Sequence, residues 1–354
     1  MRWMSKAPEN SESTATLRGS LRATGRVTLQ DVAEAAGVSP ITASRVVRGV
    51  GSVAPELADK VRQAVQHLGY LPDPAARALA SARGNQVVVL VPLLSNQVFV
   101  DLIEAIYGTL EPAGFQILIG VTHYDRAEEE QLLRSYLIYR PTGLLVTGFD
   151  RSEESRQLIR ASGLPCVHLM ETTDAPDVPN VGFSQLEAGA AITQHLISRG
   201  RRHIAFVAAQ LDPRTLQRAE GYRRALRAAG LYDARLEVLS PEPSSIALGA
   251  RLLEETLRTR SGVDGVFFCN DDLAQGGLFA AHKLGVDVPA QLSVAGFNDL
   301  AGSEMLLPPL TTVRTPRARV GEEGAKLLLQ LMRGETPERL RVKLDYEVMV
   351  RASS

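Results

Sequence analysis

The sequence predicts an all-α head followed by an α/β body of two lobes, and three observations carry that prediction. Residues 28–69 contain helical stretches only, "TLQDVAEAAG", "SPITASRVV" and "PELADKVRQAVQHLGY", without a β-alternating run. Beyond residue 85, strand-sized apolar runs alternate with amphipathic stretches of helical length. A Pro- and Asp-rich break, "ETTDAPDVPN" at 171–180, divides that region in two. A chain of 354 residues exceeds one ordinary core and suffices for two or three domains.

In chain order, residues 1–25 are rich in Ser, Thr and Glu without periodicity, the composition of a disordered extension. Residues 26–70 make the head. Leu29, Val32, Ala33 and Ala36 recur at i, i+3, i+4 and i+7 and form one apolar helix face. Gly37 permits the left-handed residue of a sharp turn, and Val38 plugs the angle between the helices. Ser39 is a good N-cap, and Pro40 takes the first helical position, where its missing N–H costs nothing. The second helix then offers Ile41, Thr42, Ser44 and Arg45 and few large apolar residues. Such a helix suits the major groove of DNA. Arg bonds a guanine edge bidentately, and Ser or Thr reaches phosphates or bases. A small helical bundle for protein docking would show the same pattern. Residues 71–84, "LPDPAARALASARG", form a hinge in which the prolines bar helix before residue 74, while "AARALASA" suffices for two turns.

The body spans 85–354. Its apolar runs are "QVVVLVP", "FQILIG", "GLLVTG", "PCVHLM", "HIAFVAA", "GVFFCN" and "LSVAGF", with amphipathic stretches at 98–112, 126–139, 185–199, 214–229 and 271–284. Continuous apolar strands between helices mean parallel sheets covered on both faces. Some ten strands exceed what one open sheet usually carries, hence two lobes facing each other across a cleft. Ligands bind at the carboxyl ends of such strands. The residues placed there are Ser95, Asn96 and Phe99, then Thr147, Glu171, Arg214 and Arg218, then Asn270, Asp271, Asn298 and Asp299. Ser95 reads equally as a helix cap, Asp271 reads first as a cap, and Arg214 fits a solvated surface residue as well. Asn and Glu can take a donor and an acceptor from vicinal hydroxyls. Arg214 and Arg218 near a helix N-terminus make an anion site. A hydroxylated carboxylate, a sugar acid, fits both.

Composition excludes several classes. The longest apolar run, "VVVLVPLL" at 87–94, is strand-sized and far short of the about 18 residues of a membrane helix. The N-terminus lacks the apolar core of a signal peptide. Cys166 and Cys269 lie inside apolar runs, as buried thiols of a reducing cytoplasm do, and no Cys/His cluster suggests a metal or cofactor. No GxSxG, HExxH, P-loop or paired-carboxylate motif occurs in the strand-end loops, so no enzyme is expected. Residues 1–83 carry 11 Lys/Arg against 7 Asp/Glu, about +4, so a total of -1 leaves about -5 for the rest. A basic head on an acidic body fits nucleic-acid contact through the head alone.

Several stretches in order resemble the LacI/GalR family of transcription regulators, over residues 27 to about 351. They are "VTLQDVAEAAGVSPITASRVVRG", "VRQAVQHLGYLPDPAARALAS", "HLISRGRRHIAFVAA", "RAEGYRRAL", "GVFFCNDDLAQGG", "VPAQLSVAGFND" and "PPLTTVRTP". The resemblance implies an N-terminal helix-turn-helix domain with a hinge helix, joined to a two-lobed periplasmic-binding-protein-like (type I) domain. It places Thr28, Ser39, Thr42 and Ser44 at the DNA backbone and Pro40, Ile41 and Arg45 near base edges. It makes Leu79 the minor-groove wedge, with Ala76 beside it. Two positions depart from the family: Asp73 replaces the usual Asn, and Ala54 stands where Ser or Thr would cap the third helix. Arg218, Asn270 and Asn298 fall where the family holds an effector's polar groups, and Phe99 where it has an apolar wall.

"LLSNQVF", "LME", "LDPRT" and "CNDDLA" resemble the gluconate-operon repressor branch. Gluconate, a ketogluconate or a phosphorylated relative is therefore the expected effector. The expected partners are palindromic operator double-stranded DNA and a second copy of the chain. "LDYEVMVRASS" brings no further heptads, so a homodimer is expected in place of a zipper tetramer. The alternative is a solute- or sugar-binding protein without catalytic activity, which would need an export signal and have no use for residues 28–82.

Overall fold

The computed structural model of the chain describes residues 27–71 and 84–354, which fall into two compact units. The expected extension at 1–25, and Asp73, Ala76 and Leu79 of the expected hinge, lie outside the described residues.

The first unit holds three helices, α1 (Leu29–Ala36), α2 (Pro40–Arg48) and α3 (Pro55–Leu68). Val32, Ala33 and Ala36 of α1 bury against Ala43 of α2 and against Val61 and Ala64 of α3, with Val38 packed on this core. Gly37, at φ 64°, ends α1 and turns the chain. Small residues at the contact let the helices approach closely. α3 begins without a side-chain cap, because Ala54 has no oxygen to offer the first turn.

The second unit has two sheets. The first lobe carries β1 (Gln86–Val91), β2 (Gln116–Val121), β3 (Gly143–Thr147), β4 (Cys166–Leu169), β5 (Asn180–Gly182) and β11 (Arg341–Lys343). Their order is β11-β5-β4-β3-β1-β2, parallel throughout. Helices α4 (Gln97–Leu110), α5 (Arg126–Leu137), α6 (Glu153–Ser162) and α11 (Arg317–Met332) cover it. The continuous apolar strands are explained by burial on both faces. Val87, Val89 and Val91 join the core that contains Phe99, Leu102 and Leu328 of α4 and α11. Val88 and Leu90 pack instead with Leu133 and Leu158 of α5 and α6.

The second lobe has β6 (Ile204–Ala208), β7 (Glu237–Leu239), β8 (Gly265–Phe268) and β9 (Ser293–Ala295), parallel in the order β7-β6-β8-β9. Two helix pairs pack on it, α7 (Gln185–Ser198) with α8 (Pro213–Ala228), and α9 (Ile246–Thr259) with α10 (Asp271–Lys283). A separate antiparallel pair joins β10 (Thr312–Arg314) to β12 (Glu347–Met349).

The Pro- and Asp-rich segment at 171–180 is not the lobe boundary. β5 follows it and still pairs with β4, His168 opposite Asn180. The chain leaves the first lobe only after β5, returns with α11 against α4, and adds β11 at the edge of the first sheet. A three-residue strand carries too little periodicity to stand out in the sequence, so a turn in front of it has the same composition as a boundary.

Candidate functional site

The first unit presents one polar helix face. Thr28 caps α1: its hydroxyl oxygen accepts from the Asp31 N–H (3.3 Å), while the Asp31 carboxylate accepts from the Thr28 N–H and hydroxyl, each at 2.7 Å. Ser39 caps α2 by accepting from the Thr42 N–H at 3.2 Å, and the two hydroxyls lie 2.9 Å apart. Ala43 faces the core, so the opposite face carries Pro40, Ile41 and Arg45, all exposed, with Thr42 and Ser44 half-buried beside them. Ile41 is 66% exposed. The Arg45 guanidinium has no hydrogen bond or ion pair among the described residues. A bare Ile and an unengaged Arg one turn apart form a surface that can meet a thymine methyl and a guanine edge.

In the second unit the strand ends face one another across a cleft. The backbone there is unusual. Six non-glycine residues after strands adopt positive φ: His123 (46°), Tyr124 (61°), Met170 (73°), Gln210 (54°), Asn298 (117°) and Asp299 (51°). Such residues cost free energy and persist where surrounding contacts over-determine them. A cavity of about 320 Å³ opens between the lobes, lined by Thr122, Tyr124 and Thr147 on one side and Gln210, Asp212 and Arg214 on the other.

Two arginines of α8 reach inward. Arg214 is no solvated surface residue: it is buried, with Nε 3.2 Å from Asp212 and Nη1 3.5 Å from Glu171. Burial pulls its pKa down, but Asp212, Tyr124 and Glu171 more than offset this and hold the guanidinium above its usual range. Arg218 donates from Nε to Gln185 Oε1 (2.8 Å) and from Nη1 to the Cys269 carbonyl (2.6 Å), and stacks over Phe297 at 4.1 Å. Burial pulls its pKa below the ordinary value, with too little neighbouring negative charge to restore it. Of the buried arginines Arg151, Arg214 and Arg218, only Arg218 lacks a carboxylate partner among the described residues.

Close helix packing sets this position. A Cβ on Gly189 of α7 would lie 2.6 Å from the Arg218 carbonyl oxygen, so the backbones of α7 and α8 touch beside the guanidinium-bearing residue.

The other expected residues divide. Thr147 lines the cavity and donates to the Leu90 carbonyl at 3.0 Å. Glu171 is buried beside Arg214 and accepts from Gln217 Nε2 at 2.9 Å. Asn298 is buried, and its side-chain amide has no hydrogen bond among the described residues. Asn96 caps α4 by accepting from the Val98 N–H, and Ser95 beside it is exposed and does not cap. Phe99 belongs to the core at 3% exposure. Asn270, not Asp271, caps α10: it accepts from the Leu273 N–H and donates to Ser244, both of which occupy its amide. Asp271 instead accepts from the Leu300 N–H and from the hydroxyls of Ser303 and Thr312, tying down the loop after β9.

Tyr124, Asp212, Gln185 and Gln217 were not anticipated. The strand-end rule applied to "FQILIGVTHY" reaches Tyr124; the two glutamines sit inside helices and carry no such signal. Behind the cleft, Arg151 donates to Glu129 (2.9 Å) and to the Gly148 carbonyl (3.0 Å), and His168 Nδ1 donates to that same carbonyl (2.9 Å), bracing the loop after β3. Among the described residues no His/Cys/Asp/Glu group could hold a metal ion, and no helix is long and apolar enough to cross a membrane.

Residues 28–73 match the bacterial regulatory proteins of the lacI family, and residues 193–354 match a periplasmic binding protein-like domain. The HTH-type transcriptional regulator GntR of Pseudomonas aeruginosa is 54% identical over 94% of this chain and 97% of its own length. The crystal structure of transcription regulator GntR from Chromobacterium violaceum is 48% identical, with a TM-score of 0.75 over 76% of this chain and 99% of that one. A LacI-family transcriptional regulator from Silicibacter pomeroyi is 33% identical, with a TM-score of 0.86 over 92% and 99%.

Proposed function

The chain belongs to the LacI family of DNA-binding transcriptional regulators, and from that premise we propose a homodimeric repressor whose operator affinity is set by a sugar acid such as gluconate or a ketogluconate. The observation that carries the effector assignment is Arg218, a buried cation whose protein partners are all neutral. A buried charge without a counter-ion is costly, and an anionic ligand relieves that cost. Its Nη2 has no partner among the described residues and is not sealed from solvent. The ligand's carboxylate would sit there, and its hydroxyls would meet Thr147, Glu171 and Asn298. Asn96 and Asn270 already spend their amides on helix caps and Phe99 packs in the core, while Ser95 stays exposed, so the reading rests on Arg218 and not on these four.

On the first unit, Arg45 reads a guanine edge and Pro40 and Ile41 take apolar base contacts. Thr28, Ser39, Thr42 and Ser44 face phosphates, Thr28 and Ser39 at the capped N-termini of α1 and α2. Two copies would bind a palindrome. Effector binding lowers operator affinity by favouring the state with weaker DNA contact, and by linkage DNA must weaken the effector equally. The regulator role calls for no catalysis.

A panel of D-gluconate, 2-ketogluconate, glucose and purine bases, scored by thermal shift and by release of operator DNA, tests this. Stabilisation and release by the aldonates alone is the expected result. Response to neutral sugars or purines without response to aldonates overturns the assignment.

A further inference from the structure

Glu171, in the turn after β4 of the first lobe, gives both carboxylate oxygens to the second lobe. Oε1 lies 3.5 Å from Arg214 Nη1, and Oε2 accepts from Gln217 Nε2 at 2.9 Å. Tyr124, after β2 of the first lobe, lies beneath the same Arg214, its ring centroid 5.7 Å from the guanidinium carbon. On the second lobe Asp212 fixes Arg214 from behind, accepting the Arg214 N–H at 3.0 Å and facing Nε at 3.2 Å. Gln185 adds one more crossing, donating to the Met170 carbonyl at 3.2 Å. The contacts of this cluster therefore run from lobe to lobe, and its charged members are nearly all enclosed, Glu171 at 5% and Arg214 at 8% exposure.

We infer that Glu171, Tyr124, Arg214 and Gln217 form a clamp that holds the two lobes together across the cleft without effector, so that Arg214 is a closure residue and not part of the anion seat. Charge separates the two roles. Arg214 already pairs with Asp212 and Glu171, so a further anion gains little from it, whereas Arg218 one turn later has no carboxylate at ion-pair distance among the described residues and feels Asp212 only from farther off. Enclosure makes the clamp cooperative: removing one member of a buried pair leaves the other uncompensated, so half-broken states are disfavoured. The backbone supports it too. Tyr124 at φ 61° and Met170 at φ 73°, next to Glu171, hold positive φ on the first-lobe side, the sort of strain that persists where a conformation is over-determined. The clamp sets how often the cleft opens, and so how readily the effector proposed above reaches Arg218.

Hydrogen exchange on the effector-free, full-length protein tests the clamp. Arg214→Gln should speed exchange roughly fivefold or more in its own loop and, across the cleft, in residues 122–126 and 170–173. Glu171→Gln should do the reverse, loosening residues 210–217 of the opposite lobe. The double variant should loosen no further than either single one, because the pair acts as a unit. Gln217→Ala, at a half-buried site, should shift the same peptides in the same direction to a smaller extent, and carries the test if Arg214→Gln fails to fold. Acceleration confined to the lobe bearing each substitution, or full additivity in the double variant, overturns the clamp. No gluconate enters these measurements, so a failed effector assignment leaves their result standing.

Discussion

Arg214 and Arg218 lie one turn apart on α8, equally buried at 8% exposure, yet Arg214 faces two carboxylates and Arg218 faces only an amide oxygen, a carbonyl and a ring. Sequence alone treated them as one anion site. The structure separates them because Asp212 precedes α8 as its cap and Glu171 comes from another lobe, and both arrive at Arg214. Of these two buried arginines, Arg218 is therefore the one without a carboxylate at ion-pair distance.

Replacing Arg218 with Gln removes that charge while keeping some hydrogen-bonding capacity. Gluconate affinity should fall by about 1.5–3 kcal/mol, the worth of hydrogen bonds to a charged group, or roughly 10- to 150-fold. Operator affinity without effector should change little. Calorimetry for gluconate and fluorescence anisotropy for operator read the two effects separately; a matching loss in both would place Arg218 in the structural frame and not in the effector seat.

Arg45→Ala should do the opposite. Its guanidinium is exposed and unengaged in the free protein, so removal should leave folding and gluconate binding intact. Loss of a bidentate base contact should cost about 1–3 kcal/mol of operator affinity and relax preference at one base position. Competition binding against operators mutated one pair at a time measures this. A uniform loss across all sequences would assign Arg45 to phosphate.

Acid should destabilise the body through His168. Burial first, and then the Arg151 charge, push its pKa down to about 4 from 6.5, against a raising hydrogen bond with the Gly148 carbonyl. The unfolded chain takes up this proton below pH 6.5 and the folded chain only near 4, so stability falls as pH drops through that window and levels off below it. The shift corresponds to about 3 kcal/mol at most, reduced by partial exposure to about 1–3. The charged group that faces it is Arg151, itself paired with Glu129 at 2.9 Å. Melting curves from pH 4 to 7 should show a shallower slope for His168→Asn than for the parent; equal slopes would remove His168 as the cause.

The parts of the fold carried by long periodic signals were legible in the sequence. Val87 to Val91 alternate between two helix layers, which is why that strand is apolar throughout, and α1 and α2 announce themselves through the Leu29, Val32, Ala33 and Ala36 face and through Gly37, Ser39 and Pro40. The three-residue strands β5, β7 and β10 to β12 were not, because period-two alternation cannot be read in three residues. The cleft was half legible. Strand ends point to Thr147, Glu171 and Asn298, but which strand-end polar group caps a helix depends on one residue of phase, as Asn270 and Asp271 illustrate. Gln185 and Gln217 reach the site from within helices, where nothing local separates them from surface glutamines.

Ala54→Ser should stabilise the first unit. Ala54 already has the extended backbone an N-cap needs, at φ -53° and ψ 135°, and the donors of the first turn of α3 have no side-chain cap, the Leu57 N–H reaching only the Ala54 carbonyl at 3.0 Å. A serine oxygen there should add about 0.5–2 kcal/mol. Unfolding followed by a probe in residues 27–71 measures it; an unchanged midpoint would mean water already serves those donors equally well.

One substitution at two glycines should act in opposite directions. Gly108, inside α4, has nothing within 4 Å of where a Cβ would stand, and its φ is unremarkable for a helix, so Gly108→Ala should stabilise by about 0.5–1 kcal/mol. Gly221, inside α8, would put its Cβ 2.1 Å from the Leu186 carbonyl oxygen, which is backbone and cannot rotate away. Gly221→Ala must push α7 from α8, at a cost of about 1–3 kcal/mol or more. Because Gln185 of α7 holds Arg218 Nε, that separation should also weaken gluconate binding beyond what Gly108→Ala does. Thermal melts and calorimetry on both variants decide the matter. If Gly221→Ala were neutral in stability, the close approach of α7 and α8 could not be what positions Arg218.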